Sequence, residues 1–578
     1  MAAVGTAEPS GKHPRERRGR AAAGRVLART VLQPRVSTAQ ASRRPDRHRD
    51  PIAPAYDVVV VGAGMGGLVA AALLARAGRR VLVVDGHYVA GGNATVFRRR
   101  RWEFDVGVHY LGDCQPGGLI PRILEACGAA GVRFRPMDGD LEQITFPEFE
   151  FAIPRDAATF RARLLERFPA EARGIARYFA FLAQVDRMQA VGAGASRWRQ
   201  LATLLACPLV ARWANRSLGE FLDSCTRDQR LRAVLTAQNG TYAVAPGRVS
   251  AILHAGLQNH YLASGGWYPE GGGQVMADRL AEAIEAAGGD VRLRAPAARI
   301  LVEEGAARGV VVESRHHGTV VVRAPVVVSN ADLKRTVLEL VGAERFPAAF
   351  VERVERFEMA LPLFVVYCGL DLPPSALPYG NANRWLFSGL DFDAEYARVA
   401  RGELSALPFL YVATASLKDP ENRRIAPPGH TNLQVMTIAP ADPAFWGVSA
   451  AEVRDGTYVR SEGYRWVKEQ LTARVLEQAE RVVPGLREHL VFREAATPLT
   501  HTRFTGSTDG TSYGIAATPM QFLRNRPGAT TPVSGLFLAG ASTRSGHGIA
   551  GAMLSGVQAA DRVLRDGTAA RVLAPPAR

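Results

Sequence analysis

The stretch DVVVVGAGMGGLVAAALLARAGRRVLVVD, Asp57 to Asp85, decides how this chain is read. Val58 to Val61 is an unbroken apolar run, the pattern of a parallel strand covered on both faces. Gly62, Gly64 and Gly67 then form G-x-G-x-x-G, with Gly66 as a fourth small residue. Leu68 to Ala77 reads as a small-residue helix, Gly78 stops it, and Val81 to Val84 reads as a second strand. In such a unit Gly62 permits the tight turn, Gly64 lets backbone approach a diphosphate, and Gly67 lets helix pack against strand. The helix N-terminus holds the diphosphate through free N–H groups and its dipole. Gly62, Ala63, Gly64, Met65, Gly66 and Gly67 are therefore candidate dinucleotide contacts. Asp85 ends the second strand, where a carboxylate can bond ribose hydroxyls. VGAGAS (Val191–Ser196) also holds G-x-G, but no strand precedes it and no acid-ended strand follows, so it reads as a loop.

An aspartate at the second strand end repels the 2′-phosphate of NADP, leaving FAD or NAD. AGGNATVF (Ala90–Phe97) follows with the doublet Gly91–Gly92 and then Asn93, permitting a second close backbone approach along the ligand. A second strand–G-x-G-x-x-G–helix unit is not seen, so a nicotinamide reductant, NAD(P)H, would dock from outside without a Rossmann unit of its own. A quinone or a ferredoxin-like donor stays equally open.

Further blocks carry a family resemblance. They are RWEFDVGVHYLGD (Arg101–Asp113), the Gly-rich entry and amphipathic segment Tyr268–Ser314, VVVSNAD (Val326–Asp332) and GLFLAGASTRSGHGIAGAMLSGVQAADRVL (Gly535–Leu564). From Tyr56 onward the chain resembles the phytoene desaturase-type FAD-dependent oxidoreductase superfamily of carotenoid desaturases, carotenoid isomerases and all-trans-retinol 13,14-reductases. FDVGVHYLG (Phe104–Gly112) and SYGIAATPMQFLRNRPG (Ser512–Gly528) resemble the retinol saturase-like branch. The resemblance implies an α/β fold with a discontinuous Rossmann-type FAD-binding domain, amine oxidase/phytoene desaturase-like, in residues 55–135, 255–335 and 495–565. An α+β substrate and membrane-facing domain would occupy 136–254 and 336–494. It implies cofactor contacts at Gly91, Gly92 and Asn93, at Ala298, and at Gly540, Ala541, Gly548 and Ile549, with the helix from Gly548–Ile549 aimed at the flavin. In the blocks themselves, Val275, Leu280 and Ile284 read as one inward helix face, and Met359–Pro373 as a core strand. One departure is Ala541, where the superfamily usually has an acid that bonds the ribityl chain; Ser542 is the substitute at hand.

Hydrophobic residues make up 47% of the 578 and charged residues 22%, enough apolar content for a sizeable core. The formal charge is +16, yet residues 1–50 hold twelve Lys/Arg against four Asp/Glu and so supply half of it. The body is mildly basic, which suits an anionic membrane or cofactor and does not call for nucleic acid. Residues 1–54 read as a disordered basic leader without a secretory apolar segment, and 566–578 as a flexible tail. Five scattered cysteines without C-x-x-C argue for reduced thiols. A spanning helix is not expected. SRWRQLATLLACPLVARWANR (Ser196–Arg216), with tryptophan and arginine at both ends, reads either as a peripheral membrane segment or as a buried cap helix. The expected setting is cytoplasmic, peripheral to the inner face of a membrane, and bacterial from the Arg-rich composition. Oligomeric state is left open.

The activity implied is hydride transfer between flavin and a C=C bond of an apolar polyene, retinoid- or carotenoid-like, most simply saturation. Desaturation and cis–trans isomerisation are enzymatic alternatives. An FAD-binding escort is a non-enzymatic one, and an amine oxidase relative is a further reading. His109 and Tyr110 are the candidate catalytic residues, His109 as proton donor, with Tyr513, Arg544 and His547 also near the expected ring. His254 and His260 lack metal-ligand spacing, and His316–His317 read as a turn, so no metal site is expected.

Overall fold

The computed structural model describes residues 50–191 and 196–574. The opening stretch folds as β1 (Val58–Val61), α1 (Met65–Arg76) and β2 (Val81–Val84). The helix begins three residues before its expected start, because Gly64 itself is the N-cap. β3 (Asp290–Arg292), β4 (Val326–Ser329) and β5 (Leu536–Leu538) complete a five-stranded parallel sheet in the order β5-β4-β1-β2-β3. Strand order reverses beside β1, so the glycine turn after β1 opens onto the crevice where doubly wound sheets bind ligands.

The valines of β1 are almost wholly buried because both faces are covered. On one side lie α1, α2 (Gln274–Ala286) and α3 (Gly548–Leu564); on the other lies an antiparallel sheet of Ala297–Glu303, Ala306–Ser314 and Gly318–Arg323. Along α2, Leu280 and Ile284 are buried while Val275 is only half-buried; Met276 and Ala277 fill that face. α1 and α3 meet backbone to backbone. A Cβ on Gly556 would collide with the Gly66 carbonyl and lie 2.9 Å from Val69 Cβ.

A second, seven-stranded sheet is assembled from two distant parts of the chain. Asp140–Thr145 pairs parallel with Asn383–Leu386, and Leu363–Leu370, the core of the Met359–Pro373 stretch, pairs with Thr431–Ile438 and Leu490–Ala496. Helices of residues 157–262 pack over it with an aromatic-rich core.

Two boundaries differ from the sequence reading. Residues 50–54 are not part of a loose leader: the Asp50 carbonyl accepts from Arg292 Nη1 at 2.9 Å, the Pro54 carbonyl accepts from Arg323 N–H at 2.9 Å, and Ile52 is buried. Residues 566–573 are not a flexible tail. Thr568–Leu573 is a helix docked on α3, held where Arg122 Nη1 donates to the Leu573 carbonyl at 3.1 Å. In the stretch read either as a peripheral membrane segment or as a buried cap helix, Trp213 is buried against Phe221 at 5.5 Å between ring centroids. The leader before residue 50, residues 192–195 of the expected loop, and residues 575–578 lie outside the described residues.

Replacing Gly556 by leucine forces α3 off α1. Overpacking of this kind costs about 1–3 kcal/mol or more. The thermal unfolding midpoint of Gly556→Leu is expected to fall clearly below wild type, whereas the exposed, uncrowded Gly380→Ala is expected to match wild type.

Candidate functional site

Two glycine-bearing turns, after β1 and after β5, meet at Asn330, the residue after β4. Asn330 N–H donates to the Val61 carbonyl at 2.8 Å, which seats the residue directly over the β1 turn. A Cβ on Gly64 would stand 2.7 Å from Asn330 Nδ2, one on Gly66 2.7 Å from its Oδ1, and one on Gly540 3.1 Å from its Oδ1. Gly64 also bridges to Gly91, and a Cβ on Gly92 would come 3.2 Å from Gly64 Cα. Side chains at these positions would fill the cradle. Gly62, Gly91, Gly92, Gly540 and Gly548 all have positive φ, which glycine adopts without strain.

These turns line one cavity of about 2590 Å³, well beyond the 300–1,000 Å³ usual for a single ligand. It has room for a dinucleotide and a second long molecule. The first half is polar and cationic in character. α1 and α3 both open their N-termini onto it, and among the described residues no side chain caps either end or places an acid in either first turn. The Asp85 carboxylate also lines it, already accepting from Ala63 N–H and His87 N–H, both at 2.7 Å. Asn93 lies at the next bend. Its Nδ2 donates to the Ser512 carbonyl at 3.1 Å, while its buried Oδ1 has no partner among the described residues.

The second half is greasy. Tyr110, Tyr261, Tyr411, Tyr513, Trp385 and Phe409 wall it. Tyr110 stacks on Tyr261 at 4.5 Å, His109 meets the Tyr411 ring edge at 5.7 Å, and Tyr513 meets His547 at 5.4 Å. The wall ends at Leu201 and Leu204 of the Arg197–Leu205 helix, whose Trp198 and Leu205 are 81% and 75% exposed.

Burial dominates the electrostatics. His109 is driven down to about 3 by desolvation, then by the Lys418 charge, so it is neutral at ordinary pH. The imidazolium donor expected there does not fit this site. His547 falls to about 3 from desolvation and then the Arg526 charge, and His501 to about 4 from desolvation. Arg544 and Tyr513 line the cavity as expected. His254 is a core residue between the Tyr178 hydroxyl at 2.9 Å and the Tyr242 hydroxyl at 3.3 Å, and His260 Nε2 accepts from Gly112 N–H at 3.2 Å. His316 and His317 sit in the hairpin turn.

Three cofactor candidates need correction. Ala298 is exposed at a register shift in its strand, and its neighbour Ala297 lines the cavity instead. Gly67 and Ala63 are buried in the turn and do not line it. Gly67 is there for packing, since a Cβ would strike the Gly62 carbonyl. Ala541 lines the cavity, and its carbonyl accepts from Arg526 Nη2 at 2.8 Å; Ser542 lines it too. Sequence reading missed Asn330 as the hub, although it sits inside the quoted VVVSNAD. It also missed Glu142, Lys418 and Arg526, all buried by contacts from far along the chain.

Residues 60–126 match the model of an NAD(P)-binding Rossmann-like domain and residues 456–564 that of a flavin containing amine oxidoreductase. An all-trans-retinol 13,14-reductase of Danio rerio is 29% identical over 84% of this chain and 82% of its own length. A chloroplastic prolycopene isomerase of Arabidopsis thaliana is 25% identical over 88% of this chain and 83% of its own. The chain is thus similar along most of its length to proteins of the phytoene desaturase-like superfamily, and it is a flavin oxidoreductase. A solved putrescine oxidase shares the fold, with a TM-score of 0.59 at 16% identity over 88% of this chain and 99% of that one.

The cradle fits a flavin dinucleotide: two uncapped helix N-termini for negative charge, glycines where backbone must approach, and an orphaned Asn93 oxygen at the bend. Gly64→Val places two methyl groups in the cradle. It is expected to fold, by circular dichroism, and to lose bound yellow chromophore, with flavin affinity down at least about tenfold, equivalent to about 1.4 kcal/mol.

Proposed function

We propose that the protein is an FAD-dependent oxidoreductase that transfers hydride between flavin and a C=C bond of an apolar polyene, saturating it. One observation carries the reading: a single cavity of about 2590 Å³ joins a dinucleotide cradle to an aromatic-walled chamber. The names of its relatives, a retinol reductase and a prolycopene isomerase, agree on polyene substrates and leave the outcome open. Saturation is favoured by a polar side chain with a proton, Tyr110, at the chamber wall.

When bound, flavin supplies the hydride and takes or gives two electrons. The chain holds the rest. Gly64, Gly92 and Asn330 shape the seat, and the N-termini of α1 and α3 favour the diphosphate and the negative charge of the reduced ring. Trp385, Phe409 and Tyr411 keep the polyene flat and exclude water. Reductant enters from outside, with NAD(P)H as one candidate. Anaerobic mixing of dithionite-reduced protein with a polyene panel tests the assignment. Flavin should reoxidise with product two mass units heavier; product two units lighter under oxidising conditions marks a desaturase, and unchanged mass with altered absorbance an isomerase.

We also propose that the Arg197–Leu205 helix dips into an anionic membrane surface, letting apolar substrate pass between bilayer and chamber. Support comes from the exposed Trp198 and Leu205 beside the cavity mouth, and from basic residues flanking them in the sequence. Among the described residues no helix is long and apolar enough to cross a membrane. The unpaired state of all five cysteines supports a reducing, cytoplasmic setting. Trp198→Ser combined with Leu205→Ser should weaken co-sedimentation with phosphatidylglycerol vesicles about tenfold or more, given about 1.5–3 kcal/mol for each large apolar side chain buried, and leave flavin content unchanged.

A further inference from the structure

Behind the chamber wall lies a closed polar cluster that the flavin cradle does not use. Glu142, in the strand Asp140–Thr145, is fully buried. Its Oε2 accepts from Trp385 Nε1 at 3.0 Å and its Oε1 from Gln238 Nε2 at 3.2 Å. The same Gln238 Nε2 donates to Tyr110 Oη at 3.2 Å, so one amide joins the carboxyl and the phenol, and the two groups feel each other electrostatically. Gln258 Nε2 fixes Gln238 through its Oε1 at 2.7 Å. Both glutamines are buried, so their amide orientation is locked and Gln238 presents its donor to carboxylate and phenol alike.

A buried carboxyl is costly, and a structure that needed only packing would place an apolar residue here. What this one offers is a carboxyl set beside Tyr110 and joined to it through the shared Gln238 donor, and Tyr110 and Trp385 both line the substrate chamber. The other polar rings there are less apt. His109 is held neutral near 3, and the Tyr411 hydroxyl has no hydrogen-bond partner among the described residues. Tyr261 is joined to Tyr110 rather than to a carboxyl of its own.

We propose that Tyr110 delivers the proton that completes saturation of the polyene and that Glu142, acting through Tyr110, is the positioning residue that resupplies it. The inference rests on the saturase reading above. In the step, hydride from reduced flavin adds to one carbon of a C=C bond while the bond's electron pair moves onto the adjacent carbon. That carbon takes H⁺ from Tyr110 Oη, so one C=C π bond is replaced by two C–H bonds and flavin loses two electrons. Tyr110 recovers H⁺ from the Glu142 carboxyl. The Glu142 carboxylate left behind is held by the Gln238 and Trp385 donors, and solvent returns its proton between turnovers.

The charges facing Glu142 suit this traffic. Desolvation lifts its carboxyl above the usual range, against the donors Tyr110, Gln238 and Trp385 and the Lys418 ammonium, which pull it down. Lys418 is itself lowered to about 8 by burial, opposed by Glu142 and Asp105, and its Nζ donates to Asn383 Oδ1. Tyr261 and Tyr411 are the other titratable groups that feel Glu142. Burial thus favours the protonated carboxyl, while the donors around it favour the carboxylate.

The test uses the FAD-loaded full chain, reduced with dithionite under argon and mixed with all-trans-retinol or prolycopene in H₂O and in D₂O. Wild type in D₂O should give saturated product carrying two non-exchangeable deuteriums, one through the solvent-exchangeable N–H of reduced flavin and one from the proton donor, with a solvent isotope effect on product formation. Tyr110→Phe should slow product formation by about 100-fold, the scale of general acid catalysis. Glu142→Gln should slow it by at least about tenfold and change the isotope effect, and Glu142→Asp should restore both in part. Flavin content and thermal midpoint should stay at wild-type values for Tyr110→Phe. Wild-type rates and isotope effect in Tyr110→Phe overturn the relay while leaving the saturase reading intact. Slowing by Tyr110→Phe but not by Glu142→Gln overturns the role of Glu142. If neither polyene reoxidises wild-type flavin, the saturase reading falls first and the relay with it.

Discussion

The close approach of two turns around Asn330 is the constraint on which this molecule is built. Segments separated by more than two hundred residues each bring a glycine to within one side-chain thickness of a single asparagine. A side chain at Gly64, Gly66 or Gly540 would press on the Asn330 side chain, so the cradle keeps its shape only while β1, β4 and the turn after β5 keep their parallel register. That register is fixed by the apolar strands, whose valines are covered on both faces. Packing of the dinucleotide domain and shape of the ligand seat are thus one property. The same economy appears where α1 meets α3, whose glycines let the two uncapped N-termini converge on one cleft.

The second sheet answers a different requirement. A conjugated chain offers no hydrogen-bond handle along its length, so the chamber gains little by displaying polar groups, and each one left unpaired there costs about 1–3 kcal/mol. The polar groups present are accordingly set behind the aromatic wall and bonded to one another, as Glu142, Gln238, Gln258 and Trp385 are. Tyr110 stands where the two layers touch, with its ring stacked on Tyr261 and its hydroxyl in the cluster. A tyrosine suits that place because one side chain carries both an apolar body and a polar tip.

Much of the dinucleotide half was legible because its determinants are local. A strand, a glycine turn, a helix and an acid within Asp57–Asp85 each declare themselves by residue type, and the strands fell where the apolar runs lie. Gly91, Gly92, Asn93, Gly540 and Gly548 were readable as turns by resemblance, and all five line the cavity. Ala298 went astray by one residue because strand alternation breaks at a register shift that composition does not reveal. The substrate half resisted for a physical reason. Its sheet pairs Asp140–Thr145 with Asn383–Leu386, so the burial of Glu142 is decided by Trp385, which is 243 positions away. An acid on a six-residue strand reads as solvated until that partner is known. His109 looked like a proton donor for the same reason: its ordinary titration near neutrality is a property of water, and the fold removes the water.

Position 541 shows how the fold handles a missing acid. With alanine there, the main-chain carbonyl takes over as a polar anchor, though toward protein: Arg526 Nη2 binds it at 2.8 Å and the Ile515 carbonyl at 2.9 Å. The guanidinium is fully buried and lowered to about 9 by desolvation, and its Nε and Nη1 have no partner among the described residues. A carboxylate at 541 would stand within reach of that cation and neutralise it. Alanine leaves the positive charge uncompensated beside the N-terminus of α3, where it adds to the desolvation that holds His547 neutral. The helix dipole and the arginine then act in the same direction on this end of the cavity, favouring any negative charge that develops there. Reducing a flavin places negative charge on its ring, so the loss of one ribityl hydrogen bond, about 1 kcal/mol, is set against a field that holds the reduced state, the state a saturating enzyme must spend.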